Sequence, residues 1–357
     1  MKKLLSILLS AAMVLSLAAC GGGGGTSANS NSNGSGSGGN ASTPVNPPSS
    51  GETINLRFSL SNSAESVHGK NIQRWCDNIA AAREKGETSI ELTMFPNGQL
   101  GSVDEMLEQI MMGENIVLST DPAALKNFAP ELGILEAPYF FENEEEPKLV
   151  FRTQWFADQL ATLEENGIKV LSGEMIYGSR HIMATAPIHG PQDMKGLKIR
   201  VPANDLSTAM IETMGGTATP MPLADVYAGI QQKTINGMEN PFATHIDNNM
   251  WEVCDYLSLT SHQITTSWYV MSADVFNSLS QQDQEFLMSS VADARDYFNS
   301  INGQANEESL QILKDKGTTV VEDVDIAAFK EATTPVYDQF GYTELRAEIY
   351  KQMDAFR

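Results

Sequence analysis

Histidines, cysteines and paired acids would carry the chemistry of a catalytic chain, and here their spacing excludes most of it. His181, His189, His245 and His262 fall in no pattern that would hold a metal and are assigned no role, and Cys76 and Cys254 sit in no Cys-x-x-Cys or Cys/His spacing. Two buried free thiols are the expectation for that pair, with a single bridge between them as the alternative. The chain holds no Gly-x-Ser-x-Gly elbow, no His-Glu-x-x-His and no convincing acid pair on adjacent strand ends, so hydrolysis has little to stand on. Gly34-Ser35-Gly36-Ser37-Gly38-Gly39 satisfies the dinucleotide pattern, yet no strand precedes it and no helix follows. No cofactor or metal is implied.

The thiol with the clearest covalent chemistry is Cys20. Lys2 and Lys3 precede an apolar run from Leu4 to Ala19, about 16 residues long, too short to span a bilayer comfortably and suited to a signal peptide over 1–19. The run closes with Leu17-Ala18-Ala19-Cys20, which resembles the bacterial lipobox, whose cysteine is lipidated and becomes the mature N-terminus. Each buried methylene holds such an anchor by about 0.8 kcal/mol, so a multiply acylated Cys20 would stay on the membrane. From Cys20 to Ser50 the chain is mostly Gly, Ser, Asn, Thr and Pro. It cannot bury enough surface to offset its ordering entropy, and it reads as a linker with a span of roughly 30 Å.

The remaining 51–357, about 300 residues, suits two lobes or one large domain, and we favour two lobes. Losing Lys2 and Lys3 with the signal takes the formal charge from −22 to −24, which disfavours nucleic acid and anionic lipid as partners of the folded body. Any anionic ligand must then be held by local cations. Alternation marks strands at Ile54–Leu60, Ile90–Phe95, Ile116–Leu118, Ile168–Leu171 and Lys198–Val201. Helical spacing appears over Lys70–Arg83, after a capping box at Ser102-Val103-Asp104-Glu105, over Leu206–Met214 and Leu223–Gln232, and along a helix from Gln281 to about Lys314. A last strand, Thr318–Val321, precedes terminal helices. The fold class is α/β.

Phe95-Pro96-Asn97-Gly98-Gln99-Leu100-Gly101, followed by Glu105-Met106, resembles the signature of the solute-binding subunits of tripartite ATP-independent periplasmic (TRAP) transporters, the DctP family. Pro138-Tyr139-Phe140, the run Gly196 to Pro202, Thr219-Pro220-Met221-Pro222, Glu239-Asn240-Pro241 and Tyr256 to Thr260 resemble successive segments of that family, in order. The resemblance implies a two-lobed periplasmic-binding-protein-like fold with crossing strands, a long connecting helix and a ligand cleft between the lobes. Lobe 1 would take about 51–176 and 264–300, and lobe 2 about 177–263 and 301–357.

It also implies a receptor and not an enzyme: an extracytoplasmic, membrane-anchored lipoprotein that captures an organic acid, such as a C4-dicarboxylate, a uronate or sialic acid. Its partners would be the TRAP membrane permease subunits. Arg200 matches the family's carboxylate-binding arginine, and a planar guanidinium can fork a carboxylate as lysine cannot. Arg180 matches a second arginine near the ligand, although Tyr177 stands where the family usually has Asn; the alternative is that Arg180 only pairs with acidic neighbours. Asn240 would supply an amide. Asp121 falls where some sugar-acid binders carry a carboxylate for ligand hydroxyls and could equally be a turn residue before Pro122, Leu223 falls where a Phe is often stacked, and His68 either faces the cleft or caps its helix. The alternatives are an anchored extracellular hydrolase and a ligand sensor for a signalling receptor.

Overall fold

The computed structural model describes residues 52–357; the expected signal peptide, the lipidated Cys20 and the linker lie outside the described residues. Nine strands form one mixed sheet: β1 (Ile54–Ser59), β2 (Ile90–Phe95), β3 (Ile116–Thr120), β4 (Ile168–Ala184), β5 (Lys198–Val201), β6 (Thr217–Pro220), β7 (Gly237–Asn240), β8 (Tyr256–Ser272) and β9 (Thr319–Val321). Their order is β2-β1-β3-β8-β4-β7-β5-β6, with β9 beside β8.

Two strands make this sheet serve two lobes. β4 and β8 each hold 17 residues, long enough to run roughly 55 Å, and they pair antiparallel from end to end. Near one end β8 takes β3 at Trp268–Met271, extending to β1 and β2. Near the other, β8 takes β9 at Tyr256–Ser258, while β4 takes β7, β5 and β6. The β4–β8 register slips at Val170/Ser172, Ser172/Met175, Ile176/Gly178 and Arg180/Ile182. Such slips add local twist, and Gly178 at φ 121° supplies a backbone angle that a side chain would resist.

Strand alternation sorts the core. Trp268 and Val270 enter one apolar cluster while Tyr269 and Met271 enter another across the sheet. In the other lobe Ile182 and Ala184 face one cluster and Met183 the other. The capping box is present: Ser102 Oγ accepts from Glu105 N at 3.3 Å, and the Glu105 carboxylate accepts from Ser102 N at 2.8 Å. It orients the helix Val103–Met111 after the turn in which Asn97 and Gly98 adopt φ 56° and 65°.

The long helix runs unbroken from Gln281 to Asp315 through Gly303, capped by Ser280. Its asparagines grip the crossing strand. Asn302 donates to the carbonyls of Ile176 and Tyr177 at 3.0 and 2.8 Å, Asn306 donates to Tyr177 O at 3.2 Å, and Asn299 accepts from Ile176 N at 2.9 Å. Three expectations change in detail. The Leu223–Gln232 helix is a 3-10 turn, Leu223–Asp225, followed by Val226–Gln231. Val336, Tyr337, Ile349 and Met353 share a core with Trp155, Phe156 and Trp268 and also with Leu206 and Ala209, so the last helices pack on segments that the sequence reading assigns to both lobes. Cys76 and Cys254 are free thiols in different clusters, Cys254 buried and Cys76 only half-buried.

Candidate functional site

β3 ends at Thr120 opposite Trp268 of β8, β7 ends at Asn240 opposite His181 of β4, and β5 runs parallel beside β7, so their carboxyl ends mark the place where ligands bind in open α/β sheets. Arg200 lies in β5, beside Met238 of β7 and Thr219 of β6, and Pro202 follows the strand's end. It is 6% exposed, and its Nε donates to Met221 O at 2.9 Å. Neither terminal nitrogen bonds to another described residue, and neither is sealed from solvent. Burial lowers its pKa from 12.5 to about 10; Glu239 opposes that shift, Arg180 adds to it and Asp121 opposes it. A guanidinium in this state is short of an anion.

Arg180 is not. It sits in β4 opposite Gln263, between two register slips, and turns its guanidinium onto Glu239. Nε bonds Glu239 Oε2, while Nη2 reaches Glu239 Oε1 at 2.7 Å and the Glu239 carbonyl at 3.0 Å. Burial alone would lower the Arg180 pKa, but the Glu239 carboxylate more than offsets it and the pKa ends raised. Burial likewise pushes Glu239 up, and Arg180 with His262 overrides this, leaving it at about 2. The pair is therefore a fork in place, with Arg180 Nη1 unbonded.

Asn240 ends β7, opposite His181, and is 4% exposed. Its amide makes no hydrogen bond to the described residues, yet neither polar atom is sealed from solvent. Asp121 follows β3 and caps the short helix Pro122–Leu125, accepting from Ala124 N at 3.0 Å. It is half-buried and belongs to no ion pair among the described residues. Burial raises its pKa, against the pull of the Ala124 and Ala123 N–H groups and of Arg180, and Glu239 adds to the rise. Arg180, Arg200, Asp121 and Glu239 all act on one another electrostatically, so the structure brings these four together.

Leu223 is half-buried at the start of its 3-10 turn and packs on the cluster containing Met238 and Val226. His68 does not cap its helix; Ser66 does, accepting from Gly69 N at 3.0 Å. The His68 ring instead lies 4.4 Å from that of Tyr177 and 4.6 Å from that of Phe298, and burial lowers its pKa to about 3.

Sequence reasoning missed part of the site. Glu239 carried no assignment, although the Glu-Asn-Pro string contains it. Three histidines read as roleless, His181, His245 and His262, are buried close to one another. His262 lies 3.4 Å from Glu239 and 2.7 Å from Thr260 Oγ1, His245 reaches the His181 carbonyl at 3.3 Å, and His181 stacks on Phe242 at 4.5 Å. Glu136, at 3% exposure, takes bonds from Gln263, Thr265 and the backbone N–H of Thr266, and burial together with Asp121 drives its pKa well above the usual carboxylate range. Tyr177 bonds Asn62 at 3.2 Å and also Thr244, tying a loop of one lobe to a helix of the other.

Comparison with known proteins gives a consistent picture. Residues 58–344 match the family described as bacterial extracellular solute-binding protein, family 7. Among curated relatives, the 2,3-diketo-L-gulonate-binding periplasmic protein of Escherichia coli K12 is 29% identical over 72% of this chain and 77% of its own length. The C4-dicarboxylate-binding periplasmic protein of Rhodobacter capsulatus is 26% identical over 82% of this chain and 88% of its own. Among solved structures, a TRAP periplasmic solute-binding protein of Actinobacillus succinogenes 130z with bound L-galactonate aligns with a TM-score of 0.78 at 31% identity, covering 83% of this chain and 99% of that one. One from Fusobacterium nucleatum with bound sn-glycerol-3-phosphate aligns with a TM-score of 0.80 at 28% identity, covering 85% and 99%.

Proposed function

The chain belongs to the DctP family, the bacterial extracellular solute-binding proteins of family 7, and from that premise we propose that Arg200 holds the carboxylate of a small organic acid for delivery to TRAP permease subunits. One observation carries this reading. Arg200 is buried, fixed at Nε by Met221 O, and presents two terminal nitrogens with no partner among the described residues. Burying a cation without an anion is costly, and a bound carboxylate supplies the anion together with two charge-assisted hydrogen bonds. Asn240 and Arg180 Nη1 complete the donor set. Tyr177, bonded to residues of both lobes, supports a cleft that closes around its guest.

The lobe boundaries follow as part of the same proposal: about 51–176 and 264–300 for the first, 177–263 and most of 301–357 for the second, with the last helices packed on segments of both. The body is extracytoplasmic, and we assign its tether to a lipidated Cys20 after removal of 1–19 as a signal peptide. Cys20→Ser would then move the protein from the membrane fraction to the soluble one. The site binds its ligand and performs no chemistry on it.

A thermal-shift screen against uronates, aldonates, dicarboxylates, sialic acid and keto acids tests the assignment. Some organic acid should stabilise the protein, neutral sugars should not, and the recovered ligand should keep its mass. Undiminished binding by Arg200→Ala would overturn the carboxylate-clamp reading.

A further inference from the structure

Resting on that reading of the cleft, we propose that the site admits one carboxylate and turns away a second, and that Asp121 is the specificity-determining residue that turns it away. The argument is a charge balance. Two guanidiniums, Arg180 and Arg200, face the site, and Arg180 is already spent on Glu239 through a fork of two side-chain bonds and a third to the Glu239 carbonyl. That leaves one cation, and against it stands Asp121, half-buried and paired with no cation among the described residues. Counted with Asp121 ionised, its charged form held by the Ala124 and Ala123 N–H groups and by Arg180 against the opposing effect of burial, the four groups come to balance before any ligand arrives.

Among the described residues, the charges that act on Arg200 are Glu239, Arg180 and Asp121. His68, His181, His245 and His262 are all held toward the neutral form by burial. Glu136 is held toward the neutral form by burial and by the neighbouring Asp121, well above the usual carboxylate range. A first carboxylate on Arg200 meets two free N–H edges. A second would find no unspent fork, and it would enter where Asp121 already places a negative charge and where a closed cleft has displaced water.

The hydrogen-bonding capacity left over fits neutral groups. Asp121 Oδ1 accepts from Ala124 N, so its other oxygen remains to accept from a ligand hydroxyl. The unbonded Asn240 amide can donate to that hydroxyl's neighbour and accept from it. The class selected is a polyhydroxylated monocarboxylate, and the class rejected is the dicarboxylate of the same skeleton.

The test is isothermal titration of the mature protein with matched pairs that differ only in the far end: D-gluconate against D-glucarate, D-galactonate against galactarate, and D-erythronate against meso-tartrate. Among pairs that bind, the monocarboxylate should be tighter by about ten-fold or more. Asp121→Asn, which keeps a good helix cap, should weaken the monocarboxylate and narrow the ratio to about three-fold or less. Asp121→Ser, also a capping residue, guards against a fold defect, with circular dichroism melts as the control. Equal or tighter binding of the dicarboxylates to the parent, lost on Arg200→Ala, would overturn this inference and leave the carboxylate-clamp reading intact. So would a ratio unchanged in both Asp121 variants. If no member of the panel and no other organic acid binds, the clamp reading falls and this inference with it.

Discussion

Replacing Arg200 by Met should weaken ligand binding and strengthen the unliganded fold, two effects of opposite sign. Its pKa falls from 12.5 to about 10 on folding, so the fold disfavours its charged form by about 3 kcal/mol. The sign follows from linkage: a cation with a depressed folded pKa carries its full penalty at every pH below about 10 and is relieved only as pH rises toward 12.5. At neutral pH the whole penalty is therefore present. Arg200→Met removes it, keeps a flexible apolar stem in the same space, and gives up the bond to Met221 O, a loss of about 1 kcal/mol. The unliganded variant should melt roughly 3 °C above the parent. Binding moves the other way. Two charge-assisted bonds at about 1.5–3 kcal/mol each disappear, which weakens affinity by roughly 10²–10⁴-fold. The assay is a thermal melt of parent and variant, with and without the stabilising acid at about a hundred times the parent's Kd, where the parent gains about 2.7 kcal/mol. A variant that melts several degrees below the parent and still shifts with ligand would refute the reasoning, because it would make Arg200 a structural residue.

Three further outcomes follow from the same geometry. Glu239→Gln leaves Arg180 buried without its anion and should cost about 3–5 kcal/mol in urea unfolding at pH 7; in the parent the stability due to Glu239 is present above pH 4.5 and is lost as pH falls toward 2. His68, His181 and His245 have folded pKa values of about 3, 3 and 4, below their ordinary 6.5, so the unfolded chain takes up protons first and stability should fall from pH 6.5 downward. His68→Phe should reduce the slope of unfolding free energy against pH between 5 and 6 by about 1 kcal/mol per unit, as read from urea midpoints. Tyr177→Phe removes the bonds to Asn62 and Thr244 and should weaken ligand binding by about three- to ten-fold, with a more open solution scattering profile; an unchanged Kd would show that the link does not report on closure.

Much of the molecule is readable in the chain because it is encoded locally. Strand alternation at Ile90–Phe95 and Lys198–Val201, the Ser102/Glu105 capping box and the apolar stripe from Gln281 onward each depend on residues a few positions apart, and each element stands where the sequence puts it. The ordered motif strings fix the family for the same reason, and they pick out Arg200. Tertiary structure decides what lies far apart in the chain. Nothing near Arg180 indicates that Glu239, 59 positions on, will consume its fork, and this alone separates a site with two available cations from a site with one. Of the 17-residue β4 the sequence shows only Ile168–Leu171, and it marks no strand along the equally long β8, because their outer thirds pair with different neighbours and register slips lie between. His181, His245 and His262 lack any ligand spacing because their association is made by strand pairing and packing. The terminal helices join the Trp155–Trp268 core through apolar faces that would suit either lobe, and only the packed structure settles what covers them.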